Sequence, residues 1–389
     1  MDKQNILDLR YLRMARIWAE NSYCERRKVG ALVVKDKMII SDGYNGTPSG
    51  FENVCEDENN VYEKTLRHTA EELAPFPTVA SQKDFRKDVI IKFIAENNID
   101  TKFDIIVGRG GMLKPIEAGA YEVNDEMIKD LISAQYGEHA CSLGALVGVE
   151  LAKAFNTRVI IADPVVTDEM QEIARVSGHP MFPRISTFHC LNQKAVARRY
   201  AKEHGKRYED LNLVIAHVGG GVSCAAHGKG RAIDVNNALG FGPFSPERSG
   251  TLPSAILVKL CFSGKYTQEE LLKMCNGKGG LIAHLGTNSG IDVENRIKEG
   301  DKHAELIWHA MGYNIAKEIG ALATIFKGKV DGIILTGGIA YSKDFVDYIK
   351  GMVEYIAPVT IYPGEDELPA LAQHGIMVLN GEEEVKVYK

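Results

Sequence analysis

Leu213-Val-Ile-Ala-His-Val-Gly-Gly-Gly-Val-Ser223 is a short apolar run that stops at a histidine and three successive glycines. A run this short, closed by glycine, reads as a strand buried on both faces that delivers its carboxyl end to a loop. The pattern recurs along the chain. Phe103-Asp-Ile-Ile-Val107 precedes Gly108-Arg-Gly-Gly111, Val159-Ile-Ile-Ala162 precedes Asp163, and Gly332-Ile-Ile-Leu335 precedes Thr336-Gly-Gly338. Helical segments separate these runs; the clearest carries Ile307, Met311, Ile315, Ile319, Leu322 and Phe326 on one face. Strand–loop–helix alternation predicts an α/β fold in which helices cover the sheets and ligands lie near the strand ends.

The 389 residues allow two or three domains with proper cores. A net charge of −6 argues against a general nucleic-acid binder and favours small-molecule or protein partners. Cysteines 24, 55, 141, 190, 224, 261 and 275 are scattered, with no CxxC pair to suggest a zinc ribbon or a redox site. Scattered thiols fit a reducing cytosol. No leader-like h-region and no membrane-length apolar stretch occurs, so the expectation is a cytoplasmic protein without membrane contact. No solenoid repeat or low-complexity tract interrupts the chain.

The glycine clusters are the first chemical signal. A backbone without Cβ approaches an anion closely and turns its N–H groups onto phosphate oxygens. Alone, Gly219-Gly-Gly221 or Gly337-Gly338 is more often a tight turn than a nucleotide loop; two such clusters, each after a strand, raise nucleotide binding to an even alternative. Neither is a Walker A loop and no GxGxxG opens a helix, so P-loop and Rossmann readings lack support. Arg109 lies between glycines at a strand end, and Arg248 lies in Gly242-Pro-Phe-Ser-Pro-Glu-Arg-Ser-Gly250. Guanidinium groups grip carboxylates and phosphates bidentately, though either arginine alone is better explained by a surface ion pair. Asp163 is a candidate for magnesium held through water, or a turn residue. His189 and His217 border apolar stretches, where a histidine is more often a satisfied core residue than a catalyst.

Together, Val61-Tyr-Glu-Lys-Thr-Leu-Arg-His68, Gly108-Arg-Gly-Gly111, His217-Val-Gly-Gly-Gly221, Gly242–Gly250 and Leu335-Thr-Gly-Gly-Ile339 resemble the butyrate kinase family, of the acetate kinase branch of the actin-like ATPases. The resemblance runs from Val61 to the C-terminus. It implies two ribonuclease H-like domains with ATP in the cleft between them: residues 61–195, completed by 365–389, and residues 196–364. It implies ATP and Mg²⁺ as cofactors, butyrate or a similar short fatty acid as the small-molecule substrate, and a homo-oligomer. By position, Gly219, Gly220 and Gly221 resemble a phosphate loop, with His217 in the nucleotide site, and Gly337 and Gly338 resemble the adenosine loop. Arg109 and Arg248 match the pair that holds the carboxylate and the transferring phosphoryl group. His189 matches the histidine that stabilises its equatorial oxygens. Asp163 and either Glu365 or Glu367 match the magnesium network.

The N-terminus departs from that pattern. The family opens with a strand, an Asn-Pro-Gly-Ser-Thr-Ser-Thr-Lys-like phosphate loop and a second strand, which this chain lacks. Residues 1–60 instead resemble a truncated deoxycytidylate deaminase, a helix over 6–20 followed by a hairpin of Val29–Val34 and Met38–Ile40, with Gly43-Tyr-Asn-Gly-Thr-Pro-Ser-Gly50 as a loop. Residues 56–60 read as a linker. The His-Ala-Glu and Pro-Cys-x-x-Cys zinc ligands of that family are absent; His68-Thr-Ala-Glu71 carries one residue too many. Three alternatives stand beside the butyrate reading: a kinase for another short or branched acid, a nucleotide-binding protein without activity, and, remotely, a deaminase.

Overall fold

The computed structural model describes residues 73–365 and 367–389 in full, and the backbone of two further strands, β1 (Ala31–Lys35) and β2 (Met38–Asp42). The helix expected over 6–20, the loop 43–50, the linker 56–60 and the segment 61–71 lie outside the described residues. Two compact units divide the chain. One holds the residues up to Val166 and those after Glu365; the other is Thr167–Glu365. The C-terminal segment thus returns to the first unit, while residues 167–195, expected there, cluster with the second. The physical reason lies in their contacts: Met170, Ala174, Phe188 and Cys190 pack with Ala225, Ala232 and Val235 of the second unit.

The first unit is built on α1 (Lys83–Glu96), β3 (Ile105–Arg109), β4 (Ala120–Glu122), α2 (Asp125–Ser133), α3 (Leu143–Phe155) and β5 (Arg158–Ala162). β3 and β5 run parallel, and β4 pairs antiparallel with β5. Ile90 and Ile94 of α1 and Leu143, Val147 and Leu151 of α3 cover one face through Ile106 and Val159. α3 reaches the end of β3 because two glycines meet: a Cβ on Gly108 would fall 2.4 Å from Gly144 O, and one on Gly144 would fall 2.7 Å from Arg109 O. That contact sets Arg109.

β1 and β2 form an antiparallel hairpin, and β1 pairs antiparallel with β3 through Leu32↔Val107, Val33↔Ile106 and Val34↔Ile105. The hairpin thus occupies the sheet edge beside β3, satisfying backbone groups that an open edge would expose.

The second unit carries α4 (Cys190–Glu203), β6 (Asn212–Val218), β7 (Val222–Gly228), β8 (Arg231–Val235), α5 (Lys302–Ala323), β9 (Gly332–Gly337), α6 (Lys343–Val353) and β10 (Val359–Pro363). Its sheet order is β10-β9-β6-β7-β8, with β6 parallel to β9 and an antiparallel meander through β7 and β8. Successive residues of β6 face opposite sides. Leu213 and Ile215 pack with Val196, Ala197 and Tyr200 of α4, whereas Val214, Ala216 and Val218 pack with the α5–α6 side. Helices on both faces explain why the run contains no polar alternation. β9 runs parallel to both its neighbours, β10 and β6, whereas β3 runs parallel to β5 and antiparallel to β1.

α7 (Glu367–Leu379) and β11 (Lys386–Val387) return to the first unit. α7 lies close on β3, since a Cβ on Gly375 would come within 2.9 Å of Val107 Cγ2. β11 pairs parallel with β4.

Candidate active site

In the second unit, the β6–β7 pairing ends at Val218↔Val222, so Gly219-Gly-Gly221 is the whole hairpin loop, closed by Gly219 N–H donating to Gly221 O at 3.0 Å. Arg248 lies against this loop. A Cβ on Gly221 would stand 2.1 Å from Arg248 Nη1, so only glycine leaves the guanidinium its place. Arg248 donates from Nε to Asn276 Oδ1 and from Nη1 to Ala238 O, both at 3.1 Å. Ser245 Oγ accepts from Arg248 N and donates to Gly220 O at 2.8 Å, tying the Gly242–Gly250 loop to the glycines.

His189 and His217 stack face to face, with ring centroids 3.8 Å apart and planes 10° from parallel. His189 precedes α4, and its Nδ1 lies 2.7 Å from Ser223 Oγ on β7. His217 Nδ1 lies 2.7 Å from Asn192 Oδ1, and Asn192 Nδ2 donates to Glu365 O. Glu365 Oε1 is 3.9 Å from His217 Nε2. Gly337 ends β9 at φ +94°, and a Cβ there would fall 2.4 Å from Val218 O; a side chain at Gly337 would drive β9 off the end of β6. A Cβ on Gly338 would meet no described atom within 4 Å, so the packing does not demand that glycine. The second unit thus gathers His189, His217, Gly219, Gly220, Gly221, Arg248, Gly337, Gly338 and Glu365 around the carboxyl ends of β6 and β9.

The first unit holds the others. Arg109, at the end of β3, faces Glu367 of α7, Nη1 to Oε2 at 3.1 Å, with the carboxylate 2% exposed. Of the two glutamates expected for the magnesium network, Glu365 lies beside His217 in the second unit and Glu367 opposite Arg109 in the first. Asp163, at φ +40° after β5, accepts from Gly119 N at 2.8 Å through Oδ1, and its Oδ2 lies 3.1 Å from His374 Nε2. His374 Nδ1 in turn meets Glu383 at 2.7 Å. Both oxygens of Asp163 are therefore engaged within the unit. Burial pushes the Cys141 thiol up to about 11, against the opposing pull of the Arg109 guanidinium.

Sequence reasoning did not single out Asn192, Gln193, Ser223, Glu169 or His374. Asn192-Gln-Lys194 is a polar triplet wholly buried on α4, a signal invisible until the helix meets β7.

Comparison with known proteins bears on this arrangement. Residues 182–355 match the Acetokinase family. The chain is 55% identical over 338 residues to Butyrate kinase 2 of Clostridium acetobutylicum, covering 86% of this chain and 95% of that protein. The chain belongs to the butyrate kinase family. A probable butyrate kinase of Clostridium botulinum is 52% identical over 353 residues, 90% of this chain and 99% of its own length. That stretch is longer than Val61 to Lys389, so the family match begins ahead of Val61, and only part of the N-terminal segment stands outside it. Solved structures agree on the fold. Acetate kinase from Porphyromonas gingivalis superposes at a TM-score of 0.65 with 21% identity, over 75% of this chain and 84% of that one. Acetate kinase from Entamoeba histolytica does so at 0.66 with 17% identity, over 77% and 85%. The fold is that of the actin-like ATPases. Among the described residues no helix is long and apolar enough to cross a membrane, and no cluster of three or more His, Cys, Asp or Glu forms a metal cage.

Proposed function

We propose that this chain transfers the γ-phosphoryl group of ATP to butyrate, forming butyryl phosphate and ADP. The observation that carries the reading is the 55% identity to Butyrate kinase 2, sustained over 95% of that protein. In this reading the N–H groups of Gly219, Gly220 and Gly221 cradle phosphate oxygens beside His217, and Gly337 and Gly338 lie against the adenosine. Arg109 grips the carboxylate; Arg248 and His189 donate to the transferring phosphoryl group. One carboxylate oxygen forms the new O–P bond as the bond to the β-phosphate oxygen breaks. The nucleophile arrives as an anion and the leaving group departs as one, so no base is required. What the chain must do is position the reactants and neutralise charge on the equatorial oxygens.

Magnesium fits this donor set as an ion shared with the nucleotide. Mg²⁺ is commonly held by one or two carboxylates plus substrate phosphates, without an all-protein cage. Glu365, partly exposed beside the glycine loop of the second unit, suits such contact; in the first unit, Asp163 has both oxygens engaged by Gly119 and His374, which leaves it a role through water. When bound, the ion would neutralise phosphate charge. The same reading places the enzyme in the cytoplasm as a homo-oligomer, which the exposed apolar side chains of Ile256, Val258 and Phe262 support.

The test is hydroxamate trapping of acyl phosphate from ATP, Mg²⁺ and a panel of acetate, propionate, butyrate and branched acids. The expected result is butyrate as the best acceptor. Preference for another acid would move the substrate assignment, and no acyl phosphate from any acid would remove the kinase reading.

A further inference from the structure

Behind His189 lies a row of buried polar groups that the reaction as described does not use. Tyr208 Oη meets His227 Nδ1 at 2.6 Å, and His227 Nε2 meets Gln193 Oε1 at 2.9 Å. Gln193 Nε2 donates to Ser223 O at 3.1 Å and to Ser223 Oγ at 2.9 Å. Ser223 Oγ also accepts from His189 N at 3.3 Å and meets His189 Nδ1 at 2.7 Å. His227, Gln193 and Ser223 are fully buried, so bulk water does not compete for these bonds and a lost partner is costly.

The direction of every bond follows from two groups that have no choice. Ser223 O is a backbone carbonyl and can only accept, which fixes the Gln193 amide with its nitrogen toward Ser223 and its oxygen toward His227. His227 must then donate from Nε2, and its Nδ1 accepts from the Tyr208 hydroxyl. His227 is neutral, as this requires: burial first, then the charges of Lys194 and Arg198, depress its pKa to about 3. At the other end, His189 N is a backbone N–H and can only donate. With the Gln193 amide also donating, both lone pairs of Ser223 Oγ are used. Among the described residues the serine proton has one acceptor within reach, His189 Nδ1. A ring nitrogen that accepts carries no proton, so the proton of His189 sits on Nε2.

We propose that Tyr208, His227, Gln193 and Ser223 form a one-way hydrogen-bond relay that fixes His189 as the neutral Nε2–H tautomer, a standing donor rather than a proton acceptor. The proposal rests on the reading that His189 faces the transferring phosphoryl group. It makes Ser223 and Gln193 positioning residues. A protonated His189 would confront Ser223 Oγ with a third donor, so the relay also resists charging of the ring. The reaction needs such a group: a fixed donor requires no reorganisation as charge grows on the phosphoryl oxygens.

The test is nitrogen-15 NMR of the full chain labelled at histidine, with His189 assigned by the resonance missing in His189→Gln. At neutral pH the expected spectrum has a protonated Nε2 and a bare Nδ1 for His189, and it persists about one pH unit below the ordinary histidine value of about 6.5. A proton on Nδ1, or a ring charged at pH 7, overturns the relay. Gln193→Glu replaces the amide donor by an acceptor, so Ser223 turns its hydroxyl to the new carboxylate and the His189 proton moves to Nδ1. In that variant kcat is expected to fall about 10²–10³-fold, as for loss of a transition-state donor, with KM for ATP little changed. Ser223→Ala, which keeps the Cβ, is expected to leave His189 as a mixture of tautomers; a spectrum like the parent's would also overturn the proposal. The two readings separate cleanly. If His189→Gln keeps full turnover while the parent shows Nε2–H, the relay stands and the place of His189 at the phosphoryl group falls.

Discussion

A methyl group on Gly221 would stand 2.1 Å from Arg248 Nη1 and 2.9 Å from Cζ. Contacts under 3.0 Å are essentially never seen for a real Cβ, so the guanidinium must withdraw. The retreat is roughly 1 Å, and a misplacement of that size in a positioning group costs about 10²-fold in rate. The backbone does not resist the change, because Gly221 is not among the residues with positive φ. The clash falls on the far end of a flexible side chain, and replacing glycine by alanine stiffens the unfolded chain, a gain of about 0.4–1 kcal/mol where the native conformation allows it. Gly221→Ala is therefore expected to hold or gain thermal stability while losing about 10²-fold in acyl-phosphate formation, followed by hydroxamate trapping. A double-mutant cycle locates the cause. In the Arg248→Ala background the clash is gone, so Gly221→Ala should cost little more. Full turnover of Gly221→Ala, or an equal loss in both backgrounds, would refute the idea that this glycine makes room for Arg248.

Arg248→Ala should lose orders of magnitude in turnover with the fold intact, since its described bonds are to Asn276 and the Ala238 carbonyl; unchanged turnover would remove it from the site. Arg109→Ala should lose turnover and also stability, because it breaks the ion pair to the buried Glu367 carboxylate, a loss of up to about 3–5 kcal/mol by the precedent of broken buried pairs; denaturant unfolding reads it. Lys194→Met should lower stability on the same scale, since Lys194 Nζ meets Glu169 at 2.9 Å with both side chains buried, and an unchanged melting temperature would contradict the pairing. His227 sets a pH dependence. Its folded pKa of about 3 lies below the unfolded value, so its contribution is fully present above about pH 6.5 and fades as pH falls toward 3, by at most about 1.4 kcal/mol per unit. Lys194 and Arg198 supply the nearby positive charge, and Tyr208 and Gln193 the hydrogen bonds. Urea unfolding of parent and His227→Gln should therefore converge as the solution is acidified; a constant gap from pH 7 to 4 would exclude the effect.

By itself the sequence determined the α/β class, the strands that deliver the site, and the residues at their ends. These are local facts. A buried strand between helices must be a short apolar run, and a tight hairpin loop or a strand end held at positive φ favours glycine, so β6, β9, Gly219–Gly221 and Gly337 are legible by inspection. Tertiary structure alone decided the company each residue keeps. Arg109 and Glu367 are far apart in the chain and meet because α7 packs on β3, whereas Glu365 lies beside His217 in the other unit, a difference in company that two residues of sequence do not reveal. Asp163 looked like a candidate ligand and is engaged by Gly119 and His374, the latter brought from α7. The hairpin Ala31–Lys35 and Met38–Asp42 is readable as a hairpin, but its pairing with β3 is a long-range event. The relay behind His189 is the plainest case. Tyr208, His227, Gln193 and Ser223 show no spacing that links them, because hydrogen bonds between buried side chains are set by where helix α4 lies on β7, and that register exists only once the core has closed.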